Sequence, residues 1–92
     1  MMPEYVQILQ ECARIAEERG EQYGSVEENI TEIQKIADAM FGLTISIEDI
    51  VRIMIATKVA REKNKQKADN RIDLINYTAI LNHFIEKKSS RN

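Results

Sequence analysis

Four charged residues occupy positions where two consecutive amphipathic segments should be apolar. Lys58 and Arg61 continue the inward stripe of one segment, and Asp69 and Asp73 continue that of the next. The connection between the segments is short, so the two helices should lie antiparallel. The four charged residues should then lie opposite one another along the helix pair. A lone charge removed from water costs several kcal/mol. We therefore expect the four groups to be paired, to bind a metal ion or to face a cleft.

Two interpretations of this seam are open. In the first, Lys58–Asp73 and Arg61–Asp69 are structural ion pairs that fix the register of the two helices. In the second, the aspartates, four residues apart, share a divalent cation through their oxygens. The two basic side chains would then hold phosphate oxygens. A carboxylate pair at this spacing is common by chance and does not decide between them.

A second group of residues precedes a helix start. Arg19, Gly20, Tyr23, Gly24 and Ser25 lead into a segment whose first backbone amides lack helical partners and attract anions. Arg19 can bind phosphate, Tyr23 can stack on a base, and the glycines permit close backbone approach. A plain turn with a serine cap explains the same residues.

Acidic residues follow that turn. Glu27, Glu28 and Glu32 suit the first turns of a helix, where acids complement the helix dipole. Glu28 and Glu32 are four apart and could instead be metal ligands. His83 has no cysteine or second histidine to join, which argues against zinc. The sequence has neither a glycine-rich nucleotide loop nor a nucleophile elbow.

Apolar residues at helical spacing predict the elements that position these groups. We expect an all-α chain with helices at about 3–19, 26–41, 47–64 and 70–87. Gly20 and Gly42 should end the first two helices. Ser25 and Ser46 should cap the second and third, and Asp69 the fourth. Short connections favour a four-helix up-and-down bundle, with an extended linker at 43–45 and a frayed polar tail at 88–92.

Length and composition set the class of protein. The 92 residues, 43% hydrophobic and 30% charged, suit a single helical domain over 1–92. A net charge of −2 argues against a protein that coats nucleic acid. No apolar run is long enough to span a bilayer, and the first residues do not resemble a signal peptide, so we expect a cytoplasmic protein. A small helical core favours a homo-oligomer, with a dimer preferred.

Three motifs in order carry a family resemblance. They are R-G-x-x-Y-G-S at 19–25, K-x-x-R at 58–61 and K-x-D-N-x-x-D-x-x-x-Y at 67–77. This pattern resembles a phage- and prophage-encoded family of small helical proteins of unknown function. That family is similar to a phage domain associated with nucleotide modification. More distantly it resembles the all-α nucleoside triphosphate pyrophosphohydrolases of the MazG and dimeric dUTPase type.

The resemblance implies a bacterial host's cytoplasm and an all-helical oligomer that binds Mg²⁺ through acids on two helices. Such enzymes cleave a nucleoside triphosphate between the α and β phosphates. The resemblance assigns Asp69 and Asp73 to one metal-binding helix, with Glu28 and Glu32 as the counterparts on the other. The nucleotide or its phosphates would meet a further set of side chains: Arg19, Tyr23, Lys58, Arg61, Asn70 and Tyr77.

This sequence departs from the enzyme pattern in its spacing. The enzymes place their acids at i and i+3, whereas these acids are at i and i+4 and have Lys58 and Arg61 beside them. Three functions are therefore weighed. They are a magnesium-dependent nucleotide phosphohydrolase, a non-catalytic nucleotide or cyclic-nucleotide binder, and a small phage protein-interaction module whose polar seam is purely structural.

Overall fold

The computed structural model describes residues 2–90 of the chain, with side chains for 2–89. Within that range the chain forms helices and connections and no strand, which confirms the all-α prediction. The helices are α1 (Glu4–Tyr23), α2 (Val26–Phe41), α3 (Ile47–Asn64) and α4 (Ala68–Ser90). The boundaries predicted for α2 and α3 are correct, and those predicted for α1 and α4 are too short.

The end of α1 differs from the prediction because the helix continues through Gly20. Gly20 adopts helical backbone, and α1 ends only before Gly24, whose φ is +80° and whose N–H donates to the Gly20 carbonyl at 3.0 Å. Glycine inside a helix costs only about 1 kcal/mol, so the helix can continue through Gly20 and end at Gly24. The consequence is that Arg19 and Tyr23 belong to one helix turn and project from the same side of it.

The start of α4 also differs from the prediction. Asp69 is not the N-cap; it lies within the first turn of a helix that begins at Ala68. Glu62, at the end of α3, accepts a hydrogen bond from the Lys67 N–H at 2.7 Å and thereby satisfies an amide just before α4. The tail predicted from residue 88 is helical as far as Ser90, and residues 91–92 lie outside the described range.

Serine caps begin the two middle helices as predicted. The Ser25 hydroxyl accepts from the Glu28 N–H, and the Ser46 hydroxyl accepts from the Asp49 N–H. Gly42, in the left-handed conformation with φ +65°, ends α2. Residues 43–45, predicted as an extended linker, belong to no helix or strand. The linker is tied to α2 because Gln34 donates to the Ile45 carbonyl at 2.7 Å.

Helix packing follows the order α1–α4–α3–α2. The closest pair is α3 with α4, while α1 packs on α4 and α2 packs on α3. Lys58 pairs with Asp73, and Glu62 pairs with Arg71. Residues later in α3 therefore lie opposite residues earlier in α4. The predicted antiparallel hairpin is therefore confirmed. The up-and-down arrangement of all four helices stays a prediction.

The core lies where α2, α3 and the far half of α4 meet. Ile30, Ile50, Val51 and Phe84 are buried together. Partly buried side chains pack against them, among them Met54, Tyr77 and Ile80. Cys12 is buried on α1. No helix in the described range is both long and apolar enough to cross a membrane.

Candidate functional site

A cleft of about 750 Å³ opens where α1 ends, α2 begins and both adjoin the α3–α4 hairpin. All four helices contribute to its walls, and we call it the four-helix cleft. Its charged and aromatic lining residues are Arg19, Tyr23, Asp73 and Tyr77, all singled out from the sequence. The rest of the lining comprises Ala16, Gly20, Gly24, Ser25, Val26, Asn29, Ile30, Met54, Asn76 and Ile80.

The last turn of α1 forms one wall of the cleft. Because α1 runs on through Gly20, Arg19 and Tyr23 stand one turn apart on the same helix face. Tyr23 is 81% exposed, so its ring is available to a ligand at the rim. Gly20 adds no side chain between them, and a Cβ built there would meet no atom within 4 Å. The wall is therefore open beside the guanidinium and the phenol.

Asp73 joins three helices at the floor of the cleft. Its Oδ1 accepts from the Arg19 guanidinium of α1 at 2.7 Å, and its Oδ2 lies 2.8 Å from the Lys58 ammonium of α3. The Asp73 and Lys58 side chains are only 12% and 16% exposed. The predicted Lys58–Asp73 pair is thus confirmed, and the Arg19 contact adds to it.

Electrostatics favour the ionised forms of Asp73 and Arg19. Burial raises the pKa of Asp73, but hydrogen bonds from Lys58 and Arg19 outweigh burial and hold that pKa below its usual value. The hydrogen bond to Asp73 likewise raises the pKa of Arg19. Two cations share one carboxylate, so the cluster carries a net charge of about +1. Arg19 is half exposed and keeps further N–H groups for a ligand.

Asn76 is a cleft residue that the sequence interpretation missed. Its Nδ2 is buried, and no described residue accepts a hydrogen bond from it. Asn76 lies three residues after Asp73 and four before Ile80, both of which line the cleft. That spacing was a usable signal, because it placed an amide on the inward face of α4. A buried donor without a partner is uncommon and is suited to a polar ligand atom.

The first turn of α2 forms the opposite wall. Ser25 and Val26 line the cleft, and the earliest amides of α2 have no carbonyl one turn back to bond. The Ser25 hydroxyl is engaged with the Glu28 N–H. A helix start carries partial positive charge, and anion binding at this connector stays a prediction.

The acids predicted to share Mg²⁺ are dispersed. Glu28, Glu32 and Asp69 are exposed, and only Asp73 lines the cleft. Within residues 2–89, no three His, Cys, Asp or Glu side chains are grouped to hold a metal ion. Both Asp73 oxygens are already occupied by basic groups. The residues present do not fit a magnesium ion, so the magnesium prediction stays a prediction without structural support.

Arg61 and Asn70 lie away from the cleft. The suggested Arg61–Asp69 ion pair does not form: both side chains are exposed, and the structure gives them no contact with each other. The reason is that Glu62, one full turn after Lys58, takes the inward position at the end of the hairpin. It pairs with Arg71 and is hydrogen-bonded by Asn70. Asn70 therefore supports the turn.

A smaller cavity of about 360 Å³ adjoins the four-helix cleft between α1, α2 and α4. Glu27 and His83 lie at its edge, 2.5 Å apart, and Lys87 reaches Glu27 at 2.7 Å. Hydrogen bonds from Lys87 and His83 lower the pKa of Glu27. Glu27 was interpreted only as a dipole-complementing acid, but it also fastens the start of α2 to α4.

Comparison with family models gives a match over residues 7–85 to the family described as "Domain of unknown function (DUF6378)". The chain belongs to this family. The DUF6378 match includes every residue that lines the four-helix cleft. Neither a curated protein nor a solved structure matches the chain.

Proposed function

We propose that this DUF6378 protein binds a nucleoside or a nucleoside monophosphate in the four-helix cleft without hydrolysing it. The observation that carries the proposal is the cleft itself. It collects Arg19, Tyr23 and Tyr77 with a buried unpaired amide on Asn76. Its 750 Å³ lies within the usual range for small-molecule sites, roughly 300–1000 Å³.

The chemistry of the lining suits the parts of a nucleotide. Aromatic rings such as Tyr23 stack on bases, and an Arg19 guanidinium binds phosphate oxygens. The Asn76 amide can read the donor and acceptor edge of a base by hydrogen bonding. The starting turn of α2 adds backbone amides for an anion. Val26, Ile30, Met54 and Ile80 add apolar surface on which a base can pack.

Charge selects the kind of nucleotide. Arg19 and Asp73 are the charged residues among the described lining, and Lys58 behind them brings the cluster to about +1. A triphosphate carries roughly two more negative charges than a monoester and needs cations to match them. A neutral nucleoside or a singly esterified phosphate suits this cleft better. The dispersed acids argue for binding over metal-assisted hydrolysis.

The sequence resemblance supports the same proposal from another side. The R-G-x-x-Y-G-S motif supplies Arg19, Gly20, Tyr23, Gly24 and Ser25, and each of these lines the cleft. We also propose that the protein has a phage or prophage origin and is distantly related to MazG-like proteins. The proposed location is the cytoplasm, where nucleotides are abundant. A protein-interaction module with a structural seam is the alternative, and the Lys58–Asp73–Arg19 cluster suits it too.

Calorimetric titration tests the proposal. Nucleosides, nucleoside monophosphates, cyclic nucleotides and nucleoside triphosphates with Mg²⁺ would be added in turn, and pyrophosphate release would be assayed in parallel. We expect saturable binding of nucleosides or monophosphates and no pyrophosphate release. Tyr23→Ala should weaken binding by roughly 5- to 150-fold, since stacking contributes roughly 1–3 kcal/mol per base.

Tyr5→Ala is the matched control, because Tyr5 is also on α1 and 70% exposed but lies outside the cleft. It should leave binding unchanged. Equal losses in both tyrosine variants would show that the effect does not come from the cleft. Pyrophosphate release would favour the hydrolase, and no binding across the panel would favour the interaction module.

A further inference from the structure

The end of α2 and the linker after it expose four large apolar side chains that no other helix of the described range covers. Ile36 and Met40 share one side of α2, and Phe41 and Leu43 follow at its end. These side chains are 50%, 69%, 65% and 61% exposed, respectively. We call these four residues the α2-end patch.

Three of the four patch residues, Met40, Phe41 and Leu43, lie in an uncharged part of the chain. Charged residues make up 30% of the sequence, yet none occurs from Ala39 to Ile47. An exposed segment without charges has nothing to keep a neighbouring apolar surface away. Apolar surface of this extent on a small protein marks an interaction site more often than free surface.

The surface area of the whole chain is large enough to leave room for an interface of standard size. The chain exposes 6990 Å², whereas a compact monomer of 10.6 kDa exposes about 5500 Å². The excess, about 1500 Å² per chain, exceeds the roughly 800 Å² that each partner buries in a standard stable interface. The Cα radius of gyration, 14.6 Å, likewise exceeds the roughly 12 Å expected for this length.

We infer that the α2-end patch is buried against a second copy of this chain in a two-fold symmetric dimer. A second copy is favoured because an apolar patch is complementary to itself, so a two-fold axis lets each patch cover its mate. α2 is available for this contact because α3 holds its inner face and Glu27 holds its start against α4. Its opposite end is left outward. The proposed nucleotide cleft lies at the start of α2, so this inference does not depend on the proposed function.

Sedimentation analysis and light scattering of the full chain test the inference. The wild type should have a mass of about 21 kDa, twice the 10.6 kDa of one chain. Met40→Glu and Ile36→Glu should each weaken the dimer at least about tenfold, because a carboxylate would be buried without a partner. Circular dichroism would confirm that each variant keeps its helical content, since both positions are at least half exposed.

Leu9→Glu is the matched control on another helix. Leu9 is 53% exposed and therefore as accessible as Ile36, but it lies on α1 outside the patch. Its variant should remain a dimer. A wild type that stays monomeric at millimolar concentration would overturn the inference. So would a dimer that dissociates with Leu9→Glu and survives Met40→Glu.

Discussion

The Asp73 carboxylate receives the Lys58 ammonium from α3 on one oxygen and the Arg19 guanidinium from α1 on the other. One side chain therefore connects three helices at the floor of the four-helix cleft. Because Asp73 is 12% exposed, removal of its charge leaves two cations near each other with little water to screen them. The stability of the fold and the shape of the cleft thus depend on the same residue.

Replacement of that carboxylate should measure its contribution. Asp73→Asn should lower the free energy of unfolding by about 2 kcal/mol, because it leaves Lys58 and Arg19 unpaired in a partly buried site. Urea denaturation at pH 7 would give the value. Asp49→Asn is the control, since the Asp49–Arg52 pair is more than half exposed and should contribute under about 0.5 kcal/mol. Equal effects of the two changes would contradict the structural role of Asp73.

Acid should destabilise the protein through the same carboxylate. The folded-state pKa of Asp73 is lower than its ordinary value of 3.8, so the unfolded chain binds the proton more readily. The contribution of Asp73 is complete above about pH 5 and is lost as pH falls through 3.8 toward the folded pKa. Urea titrations between pH 7 and pH 3 should show the decline. Asp73→Asn should have a shallower decline, and an unchanged slope would contradict the assigned pKa.

The two glycines at the end of α1 should respond in opposite directions to alanine. Gly20→Ala should stabilise the protein by about 0.5–1 kcal/mol, because Gly20 is helical. Gly24→Ala should destabilise it by about 1–3 kcal/mol, because φ is +80° and ψ is −160° there. A Cβ at either position meets no atom within 4 Å, so backbone conformation alone separates them. Thermal unfolding would record both shifts, and a stabilising Gly24→Ala would contradict the helix end described above.

Replacement of Asn76 should increase the stability of the fold and abolish ligand binding. Asn76→Leu should raise the free energy of unfolding by about 1 kcal/mol, because it removes a buried Nδ2 without a hydrogen-bond partner. The same change should abolish nucleotide binding. Asn82→Leu, on the exposed side of α4, should alter stability by less than about 0.5 kcal/mol and leave binding intact. Calorimetry and urea denaturation on both variants would check this pair, and a destabilised Asn76→Leu would refute it.

Parts of the site that lie on one hairpin could be predicted from the sequence. Lys58 and Asp73 are nearly equidistant from the α3–α4 turn, so a short connection alone brings them together. The Arg19–Asp73 contact could not be predicted in this way, because the two residues are 54 positions apart and on different helices. That contact depends on how α1 packs against α4, and helix periodicity does not determine this packing.

The end of α1 and the ion pair at the end of the hairpin were predicted wrongly because two nearby residues fitted the same sequence pattern in each case. Gly20 and Gly24 both satisfy the composition of a helix stop, and only the backbone conformation shows which one ends α1. Arg61 and Glu62 are three and four residues after Lys58, and both spacings place a residue near the same helix face. The bounds of α2 and α3 were predictable because a capping serine marked each start.

The long span between Arg19 and Asp73 has a consequence for the order of folding. Contacts within the α3–α4 hairpin close short loops, so they cost little chain entropy. The contact of α1 with α4 must close a loop of more than fifty residues, which costs more. We therefore expect the hairpin to form early and the cleft to be completed last. A bound nucleotide would then slow unfolding more than it speeds folding, since it recognises a surface that exists only after the final docking step.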